Sequence, residues 1–418
     1  MSTSASPDAG QCPCEALESQ AGAGRRPRRV HVVGPVCFDL VFSGLSAPPR
    51  PGTEVHAAYL GISPGGVANV AVALARLGLD VALSAVFADD AFGHYLWCSL
   101  LDEGVDLTYS VQVGGWCTPV TSSVAIAGER EMVTYEEVPP VAVGSLLPDG
   151  YRADAIVVSL AGADPRWLSG LHRYAPLVFA DVAWDDELAS SGRVEALAAV
   201  DVFMPNAAEA MACTRCDSLD EAAAKLASGG GLVVVKDGGA GSLAVEPGSG
   251  SATRAPAVAV EARDTTGAGD VFDAGFIYAS LAGWPVAQRL RFANLCASES
   301  VKLIGGSFAA PCWRDLAAFW RSLDDLEMRR DFSFLDAVIL NAPRRRDCRR
   351  SHPAMEPPDA VAPATYSRWA PFAMGPIRDR HSGAAGRLAH GELHMSGKPS
   401  KYKCSHHLCL FLGGHHGP

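Results

Sequence analysis

The densest chemistry in the chain is the run Asp264-Thr265-Thr266-Gly267-Ala268-Gly269-Asp270, set at the head of an apolar stretch that continues to residue 282. A helix apolar on nearly every side belongs in a protein interior. This one has the expected stop signals, Gly283 and then Pro285. Its start is the informative end. First-turn N–H groups have no partner inside a helix, and the macrodipole adds partial positive charge there. Gly267, Ala268 and Gly269 carry almost no side chain, so an anion can come close to those amides. The carboxylate of Asp270 stands at the same mouth. Amides that hold a phosphate beside a base suggest phosphoryl transfer to a hydroxyl. Taken as residues alone, the pattern also suits a tight turn with a dipole-favoured Asp.

Four other segments carry candidate chemistry. Residues 29–39 form a short β-branched run ending in Gly34, with Asp39 beyond it. Ligands of open α/β sheets bind past such strand ends, so Asp39 is a candidate for gripping hydroxyls, or a simple turn former. Ser63-Pro64-Gly65-Gly66-Val67-Ala68-Asn69 reads as a glycine-rich turn feeding a buried helix that ends at Gly78. Paired glycines let a ligand touch backbone, and Asn69 offers a donor and an acceptor. Asn206 and Glu209 have the spacing of a helix capping box. Finally, Lys236-Asp237-Gly238-Gly239-Ala240-Gly241 turns a strand into a loop able to follow phosphates closely. Lys236 could meet a phosphate there or bond Asp237.

These segments need elements to position them. Residues 53–60 partly alternate in polarity and predict a strand with one exposed face. Residues 118–136 predict a hairpin turning near Ala127-Gly128. Apolar strand runs then follow at 155–160, 177–181, 201–204 and 232–236, with helical patterns between them. That alternation predicts a parallel sheet wrapped by helices. Further helices are expected at 286–303 and 313–327.

Composition bounds the function. The chain has 418 residues, 48% of them apolar, with a net charge of −11. The acidic balance argues against a nucleic-acid partner. No apolar run approaches the roughly 18 residues of a membrane span. The N-terminus lacks a secretory pattern, and the 12 Cys are scattered, so a reducing cytoplasm is expected. Residues 1–28 read as an unordered leader.

The full string Asp264 to Asp270 resembles the C-terminal signature of the ribokinase-like (PfkB) carbohydrate kinases, and Gly65, Gly66 and Asn69 resemble the N-terminal one. The resemblance spans roughly residues 29–330. It implies a three-layer α/β/α fold around a mostly parallel sheet, with a small β lid from the strands near 53–60 and 118–136. The lid would cover the sugar and, in many relatives, pair two subunits. The implied reaction is ATP-dependent phosphorylation of a primary hydroxyl of a sugar or nucleoside. Asp270 would be the base, and the amides of Gly267, Ala268, Gly269 and Asp270 would be the anion hole. Asp39, Gly65, Gly66 and Asn69 would hold the acceptor. Thr266, Lys236, Gly238, Gly241 and Asn294 would flank ATP, with Asn294 shaping the adenine pocket. Asn206 and Glu209 would organise Mg²⁺ through water, and the loop at Gly305-Gly306-Ser307 binds a monovalent cation in some relatives.

Three alternatives stay open at this level: a silent sugar-binding regulator of the same fold, a sugar-phosphate kinase, and an α/β oxidoreductase. The last lacks its glycine motif after the first strand. No Gly-x-x-x-x-Gly-Lys-Ser/Thr run supports a P-loop kinase. Residues 331–418 show no sustained apolar period and read as an unordered tail. A cut after residue 333 is therefore expected to be harmless. Cys404, Cys409, His415 and His416 are of metal-binding types but fit no finger spacing.

Overall fold

A computed structural model describes residues 28–339, apart from 46, 127–128, 161–164 and 183–196. The leader, the Cys404–His416 group and the expected tail beyond 339 lie outside the described residues. In chain order the first strands are β1 (Arg29–Val33), β2 (Val36–Ser43), β3 (Tyr59–Gly66), β4 (Asp80–Ser84), β5 (Val86–Ala88), β6 (Val111–Val113) and β7 (Val120–Ile126). They are followed by β8 (Glu129–Tyr135), β9 (Ala155–Ser159), β10 (Val178–Asp181), β11 (Val202–Phe203), β12 (Leu232–Lys236), β13 (Ser242–Val245) and β14 (Thr253–Ala255). Among the described residues, the helices of six residues or more are α1 (Ala68–Arg76), α2 (Ala91–Asp102), α3 (Ala207–Thr214), α4 (Leu219–Ala227), α5 (Ala268–Leu281), α6 (Val286–Ser300), α7 (Trp313–Ser322) and α8 (Leu326–Asp331).

The main sheet runs β14-β13-β12-β11-β10-β9-β1-β4, parallel except for β13 and β14 at one edge. Its strands are apolar on both faces because both are covered. Val30, Val32, Val157, Phe179 and Val234 point into one core with α1, α5 and α6. Val33, Ile156, Val158, Ala180 and Val235 point into the other, with α3 and α4. Period-2 alternation thus feeds two separate cores from single strands. This is the three-layer arrangement expected from the sequence.

The second sheet, β3-β2-β7-β8, is the expected lid. Its hairpin lies where predicted, with β7 antiparallel to β8. The other lid strand is displaced. Residues 53–58 are not strand, and β3 instead runs through Ser63-Pro64-Gly65-Gly66. The glycine pair is therefore the end of a strand rather than a turn, because β2 pairs with it along its whole length, Cys37 against Gly65 and Val36 against Gly66.

The ordered chain also extends past residue 330. Phe332, Leu335 and Ile339 are buried in the larger core, where Phe332 meets Phe319 and Phe334. A cut after 333 would remove two of these anchors, so the expectation that it is harmless does not hold. The missed signal is their spacing, 332, 335 and 339, a short helical stripe read as noise beside the arginine-rich run that follows.

Candidate active site

The parallel strands deliver polar residues at their C-terminal ends, where the site forms. Asp181 is the last residue of β10 and Lys236 the last of β12. Between them, Asn206 begins α3 just beyond β11, and its backbone bridges to Lys236. Helix α5 brings its N-terminus over the same edge. Gly267 is its N-cap, at φ +73°, a left-handed conformation that glycine adopts without penalty. Asp264 shapes the approach: one carboxylate oxygen accepts from the Thr266 amide at 2.8 Å, the other from the Gly305 amide at 3.0 Å.

Among the described hydrogen bonds, the amides of Gly267, Gly269 and Asp270 have no backbone or side-chain acceptor, whereas Ala268 donates to the Thr265 carbonyl at 3.2 Å. Three of the four amides placed in the anion hole by sequence thus remain open donors. A side chain on Gly269 would approach the Lys236 ammonium, its Cβ 3.6 Å from Nζ. The glycine therefore leaves the amides and the cation facing one space.

The acceptor side is assembled from the lid junction. Asn69, in the first turn of α1, donates from Nδ2 to Asp270 Oδ2 at 3.1 Å. Its Oδ1 is buried and has no partner among the described residues. A buried orphan acceptor next to a carboxylate needs a donor from outside. Asp39 is buried, and Cys37 donates its thiol hydrogen to Asp39 Oδ1 at 3.2 Å. Gly65 makes room for it, since a Cβ there would lie 2.3 Å from the Asp39 carboxylate. Gly66 holds φ +62° just before α1, and a Cβ there would lie 2.5 Å from the Pro35 carbonyl oxygen.

Lys236 bonds neither Asp237 nor an open space. Its ammonium lies between Asp273, at 2.9 and 3.2 Å, and Asp181 Oδ1 at 3.1 Å. The Asp273 side chain is 0% exposed, Lys236 11% and Asp181 24%. Burial opposes the charge of Lys236, but Asp181, Asp273 and Glu209 together hold its proton more tightly than an ordinary lysine. Asp270 is pushed up to about 7, first by burial and then by the charge of Asp181, while Lys236 and Asn69 pull it back. Burial also raises Asp273 well above the usual range.

Asp181 and Asp273 were not singled out from the sequence. Asp181 follows an apolar strand run, the same signal that marked Asp39. Asp273 lies three residues after Asp270, on the same helical face, but only the fold shows that this face meets Lys236.

The capping-box reading of Asn206 and Glu209 is realised: Glu209 N donates to Asn206 Oδ1 at 2.9 Å and Asn206 N to Glu209 Oε2 at 2.8 Å. Glu209 is nevertheless raised to about 7, by burial first and Asp181 next, which places it in the same acidic cluster. Farther along the edge, the 238–241 loop closes with Asp237 N on the Gly241 carbonyl at 2.8 Å. Beside it is a cavity of about 310 Å³ lined by Asp237, Ala240, Ser242, Arg254, Ala255 and Pro256. Asn294 donates to the carbonyls of Ala255 and Pro256, at 3.0 and 3.1 Å. It braces the cavity wall instead of presenting its amide to a ligand.

A parallel-sheet domain with a β lid, an open helix N-terminus and a carboxylate held beside it defines a sugar-kinase type of fold and site. The chain belongs to the pfkB family of carbohydrate kinases, whose family model matches residues 27–149 and 166–312. It is 26% identical over 291 residues to a ribokinase of Bacillus subtilis, covering 68% of this chain and 96% of that protein. With an ATP-dependent ribose-1-phosphate kinase of Halopiger xanaduensis it shares 32% identity over 258 residues, 61% of this chain and 85% of the relative. The fold matches that of Arabidopsis thaliana ribokinase complexed with ribose and ATP, with TM-score 0.57 and 22% identity, over 70% of this chain and 98% of that one. The chain is thus a carbohydrate kinase. Among the described residues, no helix is long and apolar enough to cross a membrane.

Proposed function

We propose that the chain transfers the terminal phosphoryl group of ATP to a primary hydroxyl of an uncharged sugar or nucleoside. The observation that carries this reading is the contact of Asn69 with Asp270. One amide group orients the base, and its orphan Oδ1 is left to accept from the acceptor's hydroxyl. Asp270 takes the hydroxyl proton as the acceptor oxygen bonds to the γ-phosphorus and the bond from that phosphorus to the bridging oxygen breaks, releasing ADP. The open amides of Gly267, Gly269 and Asp270 stabilise the negative charge on the transferring group. Asp39, Gly65 and Gly66 seat the remaining hydroxyls. Gly238, Gly241 and the wall that Asn294 braces hold the nucleotide.

The donor set also suits Mg²⁺, which takes hard oxygen ligands and usually keeps several waters. Glu209, locked to Asn206, would hold it through water, and the ion screens phosphate charge when bound. Ser63, Thr266 and Ser307 have buried hydroxyls without partners among the described residues; Ser63 and Thr266 flank Gly306, Ser307 follows it, and the Gly305 amide before it donates to Asp264. Orphan oxygens of this kind suit a monovalent cation. The lid's edge strand β8 exposes Met132, Val133 and Tyr135, which supports a homodimer joined through the lids.

The charges at the site support an uncharged acceptor. Asp39, Asp181 and Asp270 carry acid, and the cation acting on Asp270 is already matched by Asp273 and Asp181. A phosphate on the acceptor would need a cation of its own. The Halopiger relative, named for a sugar phosphate, keeps a sugar-phosphate kinase as the second reading. The intact base and open amides speak against a silent regulator. A coupled ADP-release screen over neutral sugars, nucleosides and sugar phosphates tests this reading. Turnover only with a sugar phosphate would replace the acceptor class, and no turnover with any would favour the regulator.

A further inference from the structure

The lid sheet carries a row of polar side chains that crosses three of its strands. Asp39 of β2 stands beside Thr121 of β7, and Thr121 in turn faces Thr134 of β8, so the three share one face. Cys37, two residues before Asp39, lies on that face as well. Opposite Cys37 is Gly65, whose missing side chain leaves room for the Asp39 carboxylate. Thr121 Oγ1 is 3.1 Å from Thr134 Oγ1 and donates to Cys37 Sγ at 3.8 Å, and Cys37 donates to Asp39 Oδ1 at 3.2 Å. Each hydroxyl or thiol has a single hydrogen. Thr121 gives its own to sulfur, so Thr134 is the donor to Thr121. All three hydrogens therefore point one way, toward a carboxylate that is 5% exposed. A Thr pair across two strands can serve the sheet alone. Such a pair gives no reason for a directed chain that continues through a thiol to a buried carboxylate.

We propose that Cys37, Thr121 and Thr134 are positioning residues for the acceptor: a hydrogen-bond chain running from the outer strand of the lid to Asp39, which fixes the orientation in which that carboxylate meets a substrate hydroxyl. The inference rests on Asp39 seating the acceptor. Bonds in such a chain polarise one another, so the thiol donates more strongly because a hydroxyl donates to its sulfur. An ionised carboxylate only accepts, which makes it the terminus of the chain. A thiol is also a weak donor. It restrains the carboxylate without competing strongly against a hydroxyl of the acceptor. The lid is thereby tied to the acceptor through side chains as well as through its strand pairing.

The test is steady-state kinetics on the full chain with D-ribose as acceptor, or, if ribose is inert, the neutral sugar or nucleoside of highest turnover in the ADP-release screen. Hydrogen bonds to charged groups are among the stronger ones, so Cys37→Ala should raise the acceptor KM by about tenfold. Thr121→Val keeps the shape and removes only the second link, and should raise it by about threefold. In both, KM for ATP and kcat should stay within about twofold of wild type, as expected when only acceptor binding is lost. Cys37→Ser keeps a donor at the same place and should restore most of the acceptor affinity. In an Asp39→Asn background, Cys37→Ala should add almost nothing, because the two act as one unit. If Cys37→Ala fails to fold, Thr121→Val decides alone. Asp39→Asn raising the acceptor KM while Cys37→Ala and Thr121→Val leave it unchanged overturns the chain and keeps Asp39 as the seat. An acceptor KM unmoved by Asp39→Asn overturns both. Damage shared equally by the two KM values, or not relieved by Cys37→Ser, makes the chain a structural feature of the lid and overturns the inference.

Discussion

The two ends of the active-site edge are built on different principles. At the head of α5, function rests on side-chain charge: Asp270, Asp273, Asp181 and Lys236 enclose one another within hydrogen-bond distance or in strong electrostatic contact. At the 238–241 loop, ions are sparse and the shape comes from backbone, with Gly238 at φ +50° and Gly241 at φ +102°. On the proposed reading, charge is concentrated where charge would develop during the reaction, in surroundings that strengthen each interaction. A nucleotide base needs shape and a few backbone contacts, which glycine geometry and a braced wall would supply on the proposed reading. The two ends should therefore fail in different ways.

The largest expected effect is at the charged end. Asp270→Asn keeps the shape and removes the proposed base. General-base catalysis contributes about 10²- to 10⁴-fold, so kcat should fall by that order while KM for ATP changes little. Steady-state kinetics with saturating acceptor would check it. A variant retaining more than about a tenth of wild-type kcat would show that the proton leaves by another route.

The next effect tests the backbone-built end. A Cβ at Gly241 would lie 2.2 Å from the Ala255 carbonyl oxygen, in a conformation that L residues avoid. Strain of this kind costs of order 1–3 kcal/mol. Gly241→Ala should raise KM for ATP by roughly tenfold or more and spare the acceptor KM. Gly239→Ala is the control: a Cβ there meets nothing within 4 Å, and both constants should hold. Equal damage from the two substitutions would mean that loop flexibility, not shape, matters.

A smaller effect concerns stability and its sign. Asp270 sits at about 7 in the folded protein against 3.8 for the free side chain. Between those values the native state binds more protons than the unfolded one, so this group's contribution to stability falls as pH rises from about 4 to 7. Above pH 7 the folded protein carries the full cost of a buried carboxylate. Asp270→Asn, though nearly inactive, should then melt higher than wild type at pH 8, by roughly 2–4 °C for each kcal/mol relieved. The two melting curves should converge near pH 4. A variant that melts lower at pH 8 would show that the carboxylate supports the fold.

The smallest expected effect is none. Truncation after Ile339 keeps every described core residue, and both KM values, kcat and Tm should match the full chain. A loss confined to one end of the site would reveal a contact from residues beyond 339 to that end.

Much of this molecule was legible in its sequence for reasons of local physics. An all-apolar helix belongs in the interior, glycines without side chains beside an Asp suit an open helix mouth as well as a tight turn, and apolar runs alternating with helical periods point to a parallel sheet wrapped by helices. The pairing of Asn206 with Glu209 was equally local, because its partners are three residues apart. What the sequence placed wrongly involved partners distant along the chain. The 63–66 segment has the composition of a turn, yet becomes strand because β2 lies alongside it. Ala268 looks like its neighbours until its amide turns to Thr265. The partner of Lys236 was undecidable locally, since Asp237 is adjacent while Asp273 and Asp181 are 37 and 55 residues away. Sequence alone thus pointed to Asp270, Asn69 and Lys236 as candidates and to the helix start that gathers them, but not to Asp181 or Asp273. The folded sheet decided which charges meet, because hydrogen bonds and ion pairs act over a few ångströms of space whatever their separation along the chain.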